Sequence, residues 1–351
     1  MLAKYDQAAA VCNVAMSQLV AVSIPGANVF QMCEFGDKAI VTALGQVFPG
    51  EKLAKGIAVP TSVSINNCLN NFSPIAATDK TALKAGDLVK VQLGAHIDGI
   101  LAVISHTFIA SPAPTAEAPA TPTTGTKADA ICAAHFATEA ALRLMRPGHK
   151  GSEVALLIQK VAAEYGCNAV ADSVTYSLDR YVLEGPHTFA TRSDDRSDVN
   201  FETGEAYLLN VTISTGLGKC REEAEKPSIY RRDNDAKYQL KLQASRTLAA
   251  EVKKSFPTLP FNLRAVKDQK TARLGVSEMV KHGNLIPYPV LYEKNNQVIA
   301  QFKSTVLILP AIGETPARTL KLTAHALPFV SSEKSITDPE INALLAQPLT
   351  H

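Results

Sequence analysis

Two segments roughly 120 residues apart have amide side chains at matching positions. Each segment opens with a glycine followed by an acidic residue, Gly86-Asp87 in the first and Gly204-Glu205 in the second. Six residues after each glycine stands an amide, Gln92 or Asn210. Because a repeated strand motif is typical of two similar half-domains, we expect both amides to face one cleft between the halves. Such a cleft would hold any catalytic or binding site.

Few residues in and near these strands could bind a metal ion. The candidates are His96, Asp98 and His106. Strand alternation places His96 and Asp98 on one face, but two ligands without a third partner more often form a hydrogen-bonded hairpin end than a metal site. Glu184 and His187 flank a Gly-Pro turn and are expected at the surface.

The first part of the chain shows helical and then strand patterns. Periodicity predicts helices over Tyr5–Val22 and Val29–Leu44, a strand over Gly56–Asn66, and a hairpin over Lys84–Phe108 that turns at Asp98-Gly99. The loop Asn66–Pro74 is too polar and turn-prone to be core. The segment Ser111–Lys127 is rich in Pro, Ala and Thr, which predicts a surface insertion.

The second part of the chain repeats this order and then adds further helices. The predicted elements are helices over Ala128–Leu144, Glu153–Tyr165, Tyr238–Phe256, Lys267–His282 and Asp338–Ala346, and strands over Val174–Glu184 and Phe201–Gly216. Pro289–Lys294 and Gln297–Leu309 are expected to form a closing hairpin about the Asn295-Asn296 turn. The patterns together predict an α+β fold.

Composition excludes several classes of protein. The 351 residues are 46% hydrophobic and 19% charged, and no apolar run reaches the length of a membrane span, so we expect a soluble protein. The apolar N-terminal stretch is interrupted by polar residues at helical spacing, which favours an amphipathic helix over a signal peptide. Six scattered cysteines with no C-x-x-C pair favour a reducing compartment.

Positive charge is concentrated in one segment. Lys219–His282 has 15 Lys and Arg against 8 Asp and Glu, although the whole chain has a formal charge of only +2. The basic positions in this segment that could contact phosphates are Arg231, Arg232, Lys237, Lys241, Arg246, Lys253, Lys254, Arg264, Lys267, Lys270 and Arg273. Lysine and arginine that neutralise phosphates release condensed counterions, which favours nucleic-acid binding. The alternative is an ordinary solvated helix face.

The order of these elements, over nearly the whole chain, resembles the type II methionine aminopeptidases. The matching landmarks are Ile65-Asn66-Asn67-Cys68, Gly94-Ala95-His96-Ile97 and Ala300-Gln301-Phe302. The resemblance implies an α+β pita-bread (creatinase/aminopeptidase) fold in one domain over 1–330, with pseudo-two-fold halves of about 1–127 and 128–330. It also implies a basic helical insertion at about 219–285 and a C-terminal tail over 331–351.

The resemblance implies that the catalytic metal site has been lost. Two divalent ions about 3.5–4 Å apart need several carboxylates and usually a histidine. Position by position, the aspartates of the enzymes correspond to Gln92 and Val103, the histidine ligand to Tyr176, the glutamates to Asn210 and Lys303, and the substrate-side histidine to Asn71. Val103 has no lone pair, and Lys303 would place a cation beside cations. We therefore expect no metal, no cofactor and no catalytic residue.

With these replaced positions, the chain is similar to the family of proliferation-associated and ErbB-receptor-binding proteins, which includes the fungal curved-DNA-binding protein. The shared segments are Ile229–Asp233, Tyr238–Arg246, Leu263–Gly275, Leu291–Lys294 and Ala300–Lys303. The resemblance implies an inactive, monomeric protein that binds structured RNA and the large ribosomal subunit near the nascent-chain exit, and acts in ribosome biogenesis and translation regulation. It also implies DNA binding in transcriptional control, and the eleven basic positions above become RNA contacts.

The chain departs from that family at its end. It stops at Leu349-Thr350-His351 without the lysine-rich tail common among animal members. A cytoplasmic location is therefore expected, and the nuclear or nucleolar pool that the resemblance implies is weakened. Two alternatives stay open: a residual metallo-aminopeptidase with an unrecognised site, and a signalling or transcription adaptor that holds a peptide in the empty cleft.

Overall fold

The computed structural model describes residues 1–113, 121–171, 173–192, 199–311, 313, 317–324 and 326–349. The helices are α1 (Leu2–Val22), α2 (Val29–Gln46), α3 (Thr126–Leu144), α4 (Gly151–Glu164), α5 (Gln243–Ser255), α6 (Gln269–Lys281) and α7 (Pro339–Leu345). The strands of the first half are β1 (Lys55–Ile65), β2 (Cys68–Asn70), β3 (Leu88–Ile97) and β4 (Ile100–Ile109).

The remaining strands follow α4. They are β5 (Asn168–Ala169), β6 (Val174–Leu178), β7 (Thr188–Ala190), β8 (Ala206–Ser214), β9 (Arg221–Glu222), β10 (Ile229–Arg232), β11 (Phe261–Asn262), β12 (Leu285–Tyr288), β13 (Leu291–Tyr292), β14 (Ile299–Leu309) and β15 (Arg318–Lys321). A short 3₁₀ helix spans Leu263–Ala265. The predicted α+β class is confirmed.

A nine-stranded antiparallel sheet forms the centre of the molecule. Its strand order is β1-β3-β4-β14-β8-β6-β7, with β15 added to β14 and β5 added to β8. The two segments with matching amides become β3 and β8, and β14 lies between β4 and β8. The predicted hairpin of β3 and β4 is confirmed. Asp98 (φ 53°) and Gly99 (φ 77°) both adopt the left-handed conformation that a tight two-residue hairpin turn requires.

The two faces of this sheet differ in polarity because side chains alternate along each strand. One set packs with α1 to α4 and includes Val91, Ile104, Val211 and Phe302, all less than 2% exposed. The alternate positions are polar and also buried: Lys90, Gln92, Ser105, Thr107, Asn210, Thr212, Gln301 and Thr305. Many of these polar side chains satisfy one another, as Gln301 does by bonding Ser105, Asn210 and Thr212.

The basic insertion packs as a separate layer. Strands β11, β10 and β12 form a three-stranded sheet, and α5 and α6 cover it around Tyr230, Val252, Phe261 and Met279. Glycine is required at Gly275, because a Cβ there would lie 2.8 Å from the backbone carbonyl of Ala244. The two helices therefore cross in close contact. Among the described residues, no helix combines the length and apolar character of a membrane span.

Two sequence expectations about elements are wrong. The polar loop Asn66–Pro74 contains β2, with Leu69 only 2% exposed, because distant backbone carbonyls accept hydrogen bonds from its amide side chains. The closing hairpin does not form: β13 pairs with β2 and β9, whereas β14 pairs with β4, β8 and β15. The described residues of the predicted surface insertion Ser111–Lys127 are exposed or half-exposed, although α3 already begins at Thr126, and its residues 114–120 lie outside the described residues.

Candidate ligand cleft and basic surface

Strand register brings four polar side chains into one row across the sheet. Gln92 on β3 pairs with Ser105 on β4, Ser105 pairs with Lys303 on β14, and Lys303 pairs with Asn210 on β8. Residues directly opposite each other in an antiparallel sheet project from the same face. The two amides at matching sequence positions therefore flank a lysine.

Three members of this row, Gln92, Lys303 and Asn210, line a cavity of about 260 Å³. Its lining includes five of the six positions carried over from the enzyme site: Asn71, Gln92, Tyr176, Asn210 and Lys303. The sixth, Val103, is fully buried in an apolar cluster with Val59 and Leu208, two residues that do line the cavity. The insertion closes the opposite side with Ile229, Pro260, Tyr288 and Pro289.

Lys303 is the cation at the centre of the row. Its Nζ donates a hydrogen bond to Gln92 Oε1 at 2.5 Å. Burial lowers the pKa of Lys303 to about 8, and the negative charge of Glu184 opposes part of that change. At neutral pH the ammonium is therefore mostly charged, although it is held by a neutral amide.

Glu184 also lines the cavity, so the expectation of a plain surface residue is wrong for it. Its carboxylate accepts a hydrogen bond from Tyr288 Oη at 2.8 Å and lies 3.4 Å from Arg231 Nη2. Burial and Glu184 together raise the pKa of the Tyr288 phenol, which therefore stays a donor. His187 is exposed and contacts Glu205, as expected for a surface residue.

The donor set of the cleft does not fit a pair of divalent ions. The positions around the row offer amide groups, a phenol and an ammonium, and the one carboxylate, Glu184, is already bound by Tyr288 and Arg231. Two hard cations need several carboxylates to neutralise them. Across the described ranges, no three His, Cys, Asp or Glu side chains are grouped closely enough to hold a metal ion.

The alternative ligands His96, Asp98 and His106 do not form a shared site. Asp98 accepts hydrogen bonds from Lys4 at 2.7 Å and Arg180 at 2.5 Å, and these bonds lower its pKa. His96 packs edge-on against Tyr181. His106 packs against Phe108 and Phe302, and burial lowers its pKa to about 4. Each side chain is engaged in a different local contact.

Most of the basic positions lie on the surface of the insertion. The exposed ones are Lys237, Lys241, Arg246, Lys253, Lys254, Lys267, Lys270 and Arg273. In the described parts of the chain, none of these eight forms an ion pair. Arg231 and Arg232 are half-buried, and Arg231 points its guanidinium at Glu184 beside the cleft.

Arg264 does not belong to the basic surface, and its expected role as an RNA contact is wrong. Its side chain is only 5% exposed and forms an ion pair with Asp37 at 2.5 Å. It also donates to the Thr61 carbonyl and to Ser73 Oγ. Charge alone could not reveal this, because the partners lie roughly 190 or more residues away in sequence.

Among the polar residues that line the cleft, sequence reasoning missed three: Asn70, Tyr288 and, as a cleft residue, Glu184. A weak signal existed for Tyr288, since prolines at positions 287 and 289 confine a strand to a sheet edge, where a side chain can line a cavity. Asn70 and Glu184 have no comparable signal, because Asn70 ends the short strand β2 inside a segment expected to be a loop, and Glu184 lies in a loop.

Comparison with known proteins agrees with this geometry. The sequence profile described as metallopeptidase family M24 matches residues 3–268. Proliferation-associated protein A of Dictyostelium discoideum is 41% identical over 349 residues, covering 98% of this chain and 88% of that protein. ErbB-3 binding protein 1 of Arabidopsis thaliana is 39% identical, covering 99% and 86%. The solved structure of a thermophilic Arx1 superposes with a TM-score of 0.89 at 28% identity, covering 99% of this chain and 98% of that one.

Proposed function

Because this chain belongs to metallopeptidase family M24, among the proliferation-associated and ErbB-3-binding proteins with the pita-bread fold, we propose that it binds structured RNA and the large ribosomal subunit without catalysing peptide cleavage. It would act in ribosome biogenesis and in the regulation of translation, mainly in the cytoplasm. The observation that supports RNA binding most directly is the group of eight exposed Lys and Arg side chains on the insertion, none of which forms an ion pair with the described residues.

The arrangement of these side chains suits a phosphate backbone. Helices α5 and α6 run against each other, with the Lys267 amide donating to Glu251 at one end and the Lys241 amide donating to Glu278 at the other. The C-terminus of α5 and the N-terminus of α6 therefore lie at the same end of the helix pair. This end carries the exposed lysines Lys253, Lys254, Lys267 and Lys270. An exposed cluster of lysines neutralises phosphates without reading bases, so the shape of the RNA would supply specificity.

The absence of catalysis is proposed from the chemistry of the cleft. A metallo-aminopeptidase requires metal ions to polarise the scissile carbonyl and to activate water. Here the ammonium of Lys303 stands in the row between the two amides, where it repels cations. No group facing the cavity is a carboxylate free of partners among the described residues.

The experiment that tests this function compares two quadruple variants of the whole protein. The first replaces Lys253, Lys254, Lys267 and Lys270 with Gln, and the control replaces Lys38, Lys52, Lys84 and Lys160, which are exposed outside the insertion, in the same way. Each lysine that contacts phosphate contributes about 0.7–0.9 unit to the slope of log K against log salt, so the first variant, which lacks four lysines, should lose about 3–4 units and the control almost none.

Sedimentation with large ribosomal subunits at physiological salt provides the second measurement. We expect the parent protein and the control variant to co-sediment, and the insertion variant to stay in the supernatant. The proposal is overturned if the parent protein stays off the subunit, or if both variants bind RNA with the same salt slope.

A further inference from the structure

The cleft retains the properties of a small ligand site although its metal ligands are replaced. The cavity of about 260 Å³ lies just below the usual range for drug-sized ligands, about 300–1,000 Å³, so it suits a group the size of one amino-acid residue. One part of the lining is apolar, with Val59, Leu183 and Leu208. The other part is the polar row of Gln92, Lys303 and Asn210.

Lys303 has hydrogen-bonding capacity left for a ligand. An ammonium has three N–H donors, and within the described residues Gln92 Oε1 is its one acceptor. Removing a charge from water without a counter-ion is costly, and the lowered pKa reports that cost. An anion placed beside Nζ would offset it.

A second buried polar atom indicates what else the ligand contains. Asn70 lines the cavity, and its buried Oδ1 accepts no hydrogen bond from the described residues. A buried acceptor is normally paired, so a ligand N–H is the natural partner. A carboxylate and an N–H within one small group are the features of the last residue of a peptide or of an N-acylated amino acid.

Glu184 is the one carboxylate among the lining residues described, and its charge reaches Lys303. It already accepts a hydrogen bond from Tyr288 Oη and lies 3.4 Å from Arg231 Nη2, and these two partners weaken its repulsion of a second carboxylate. Tyr176 is a neutral phenol at physiological pH, since burial raises its pKa. Lys303 and Arg231 are the cations near the site.

We propose that this cleft binds a carboxylate attached to an N-acylated apolar residue, with Lys303 Nζ donating to the carboxylate and Asn70 Oδ1 accepting from the amide N–H. The apolar side chain would lie against Val59, Leu183 and Leu208. The site depends on the metal-free state of the cleft proposed above, but not on RNA binding. The proposed ligand is an anion, whereas the enzymes with this fold bind divalent cations.

Isothermal titration with three small probes tests the chemistry in the whole protein, with EDTA present. N-acetyl-leucine has the carboxylate and the amide, N-acetyl-leucinamide lacks the carboxylate, and leucinamide has a free amine instead. We expect binding of N-acetyl-leucine alone. Peptides ending in leucine are then titrated, as the free acid and as the amide. Binding of the free-acid peptide identifies a peptide C-terminus as the source of the carboxylate. Binding of N-acetyl-leucine without binding of the peptide identifies a free N-acylated acid. Equal binding of N-acetyl-leucine and N-acetyl-leucinamide, or binding of neither, overturns the proposal.

Variants of Lys303 supply the second test. Lys303→Met should weaken N-acetyl-leucine binding at least about tenfold, because a charge-assisted hydrogen bond is lost, whereas Lys303→Arg should keep most of it. Lys294→Met, on an exposed lysine, is the control. Affinity of the parent protein should fall between pH 7 and pH 9.5 as Nζ loses its proton, and affinity of Lys303→Arg should not. Unchanged affinity in Lys303→Met overturns the assignment.

The two proposals can fail separately. RNA binding by Lys303→Met is expected to match the parent protein in affinity and salt slope. If the acid does not bind and no metal is present, only the cleft assignment fails. The leucinamide titration is repeated without EDTA; if leucinamide binds only then, the cleft holds a metal and the non-catalytic function fails as well.

Discussion

Arg264 in the basic insertion and Asp37 on α2 form an ion pair that joins parts of the molecule 227 residues apart in sequence. The Asp37 Oδ2 atom accepts from Arg264 Nη2 at 2.5 Å and from Nε at 3.0 Å, and Asp37 Oδ1 accepts from the Thr61 amide at 2.8 Å. The guanidinium thereby links the insertion to α2 and β1. This contact fixes the basic surface relative to the cleft.

Replacing Arg264 with Met should destabilise the protein by about 2–4 kcal/mol, because the change leaves the partly buried Asp37 carboxylate without its counter-ion. Urea unfolding followed by circular dichroism measures the free energy of unfolding. Arg273→Met removes an exposed guanidinium from the same insertion and should change stability by less than about 0.5 kcal/mol. Equal effects of the two substitutions would contradict the role of the Arg264–Asp37 pair.

Gly275→Ala should separate α5 from α6, since the new Cβ would lie 2.8 Å from the Ala244 carbonyl. We expect a loss of about 1–3 kcal/mol and faster amide exchange in both helices. Gly45→Ala is the matched control, because a Cβ at that position has no heavy atom within 4 Å and should stabilise α2 by about 0.5–1 kcal/mol. Unchanged exchange in α5 and α6 would show that the contact tolerates a methyl group.

Stability should rise with pH between about 7 and 9 because two lysines are held in buried sites. Burial lowers the pKa of Lys90 from 10.5 to about 7 and that of Lys303 from 10.5 to about 8. The unfolded chain therefore binds more protons than the folded chain in this range, and raising the pH removes the penalty of burying charge. Above about pH 9 the rise should stop, since burial raises the pKa of Cys12 from 9.0 to about 12 and that of Cys33 to about 11, so the unfolded chain loses two thiol protons while it still holds the two lysine protons.

The free energy of unfolding at a series of pH values measures this dependence. The double variant with Lys90→Met and Lys303→Met should lose the rise between pH 7 and 9, and its stability at pH 7 should equal or exceed that of the parent protein. If the double variant keeps the same pH dependence of the free energy of unfolding, titratable groups other than Lys90 and Lys303 cause that dependence.

Metal content is the direct test of the non-catalytic proposal. Protein purified with manganese or cobalt present, and then freed of unbound ions, should contain less than one equivalent of metal by elemental analysis. The same protein should release no N-terminal methionine from a short peptide. Stoichiometric metal together with methionine release would revive the aminopeptidase alternative.

Local patterns predicted the regular elements well and the connections poorly. Helical periodicity located α1 to α6 to within a few residues, apart from the start of α5, and Asp98-Gly99 predicted the turn between β3 and β4. The expected closing hairpin failed although Asn296 does adopt a turn conformation, with φ 68°. The partners of β13 are β2 and β9, because distant edges compete with the neighbouring strand for backbone hydrogen bonds.

The sequence by itself determined the fold class and the chemical identity of the cleft positions, because periodicity follows from side-chain burial and an amide or a lysine cannot replace a carboxylate ligand. Tertiary structure decided which of those positions meet. Lys303 reaches Gln92 across 211 residues of sequence, and Arg264 is buried although its neighbours in the basic segment are exposed. The reason is physical: strand register and long-range ion pairs depend on which distant backbones pair, and no local pattern records that choice.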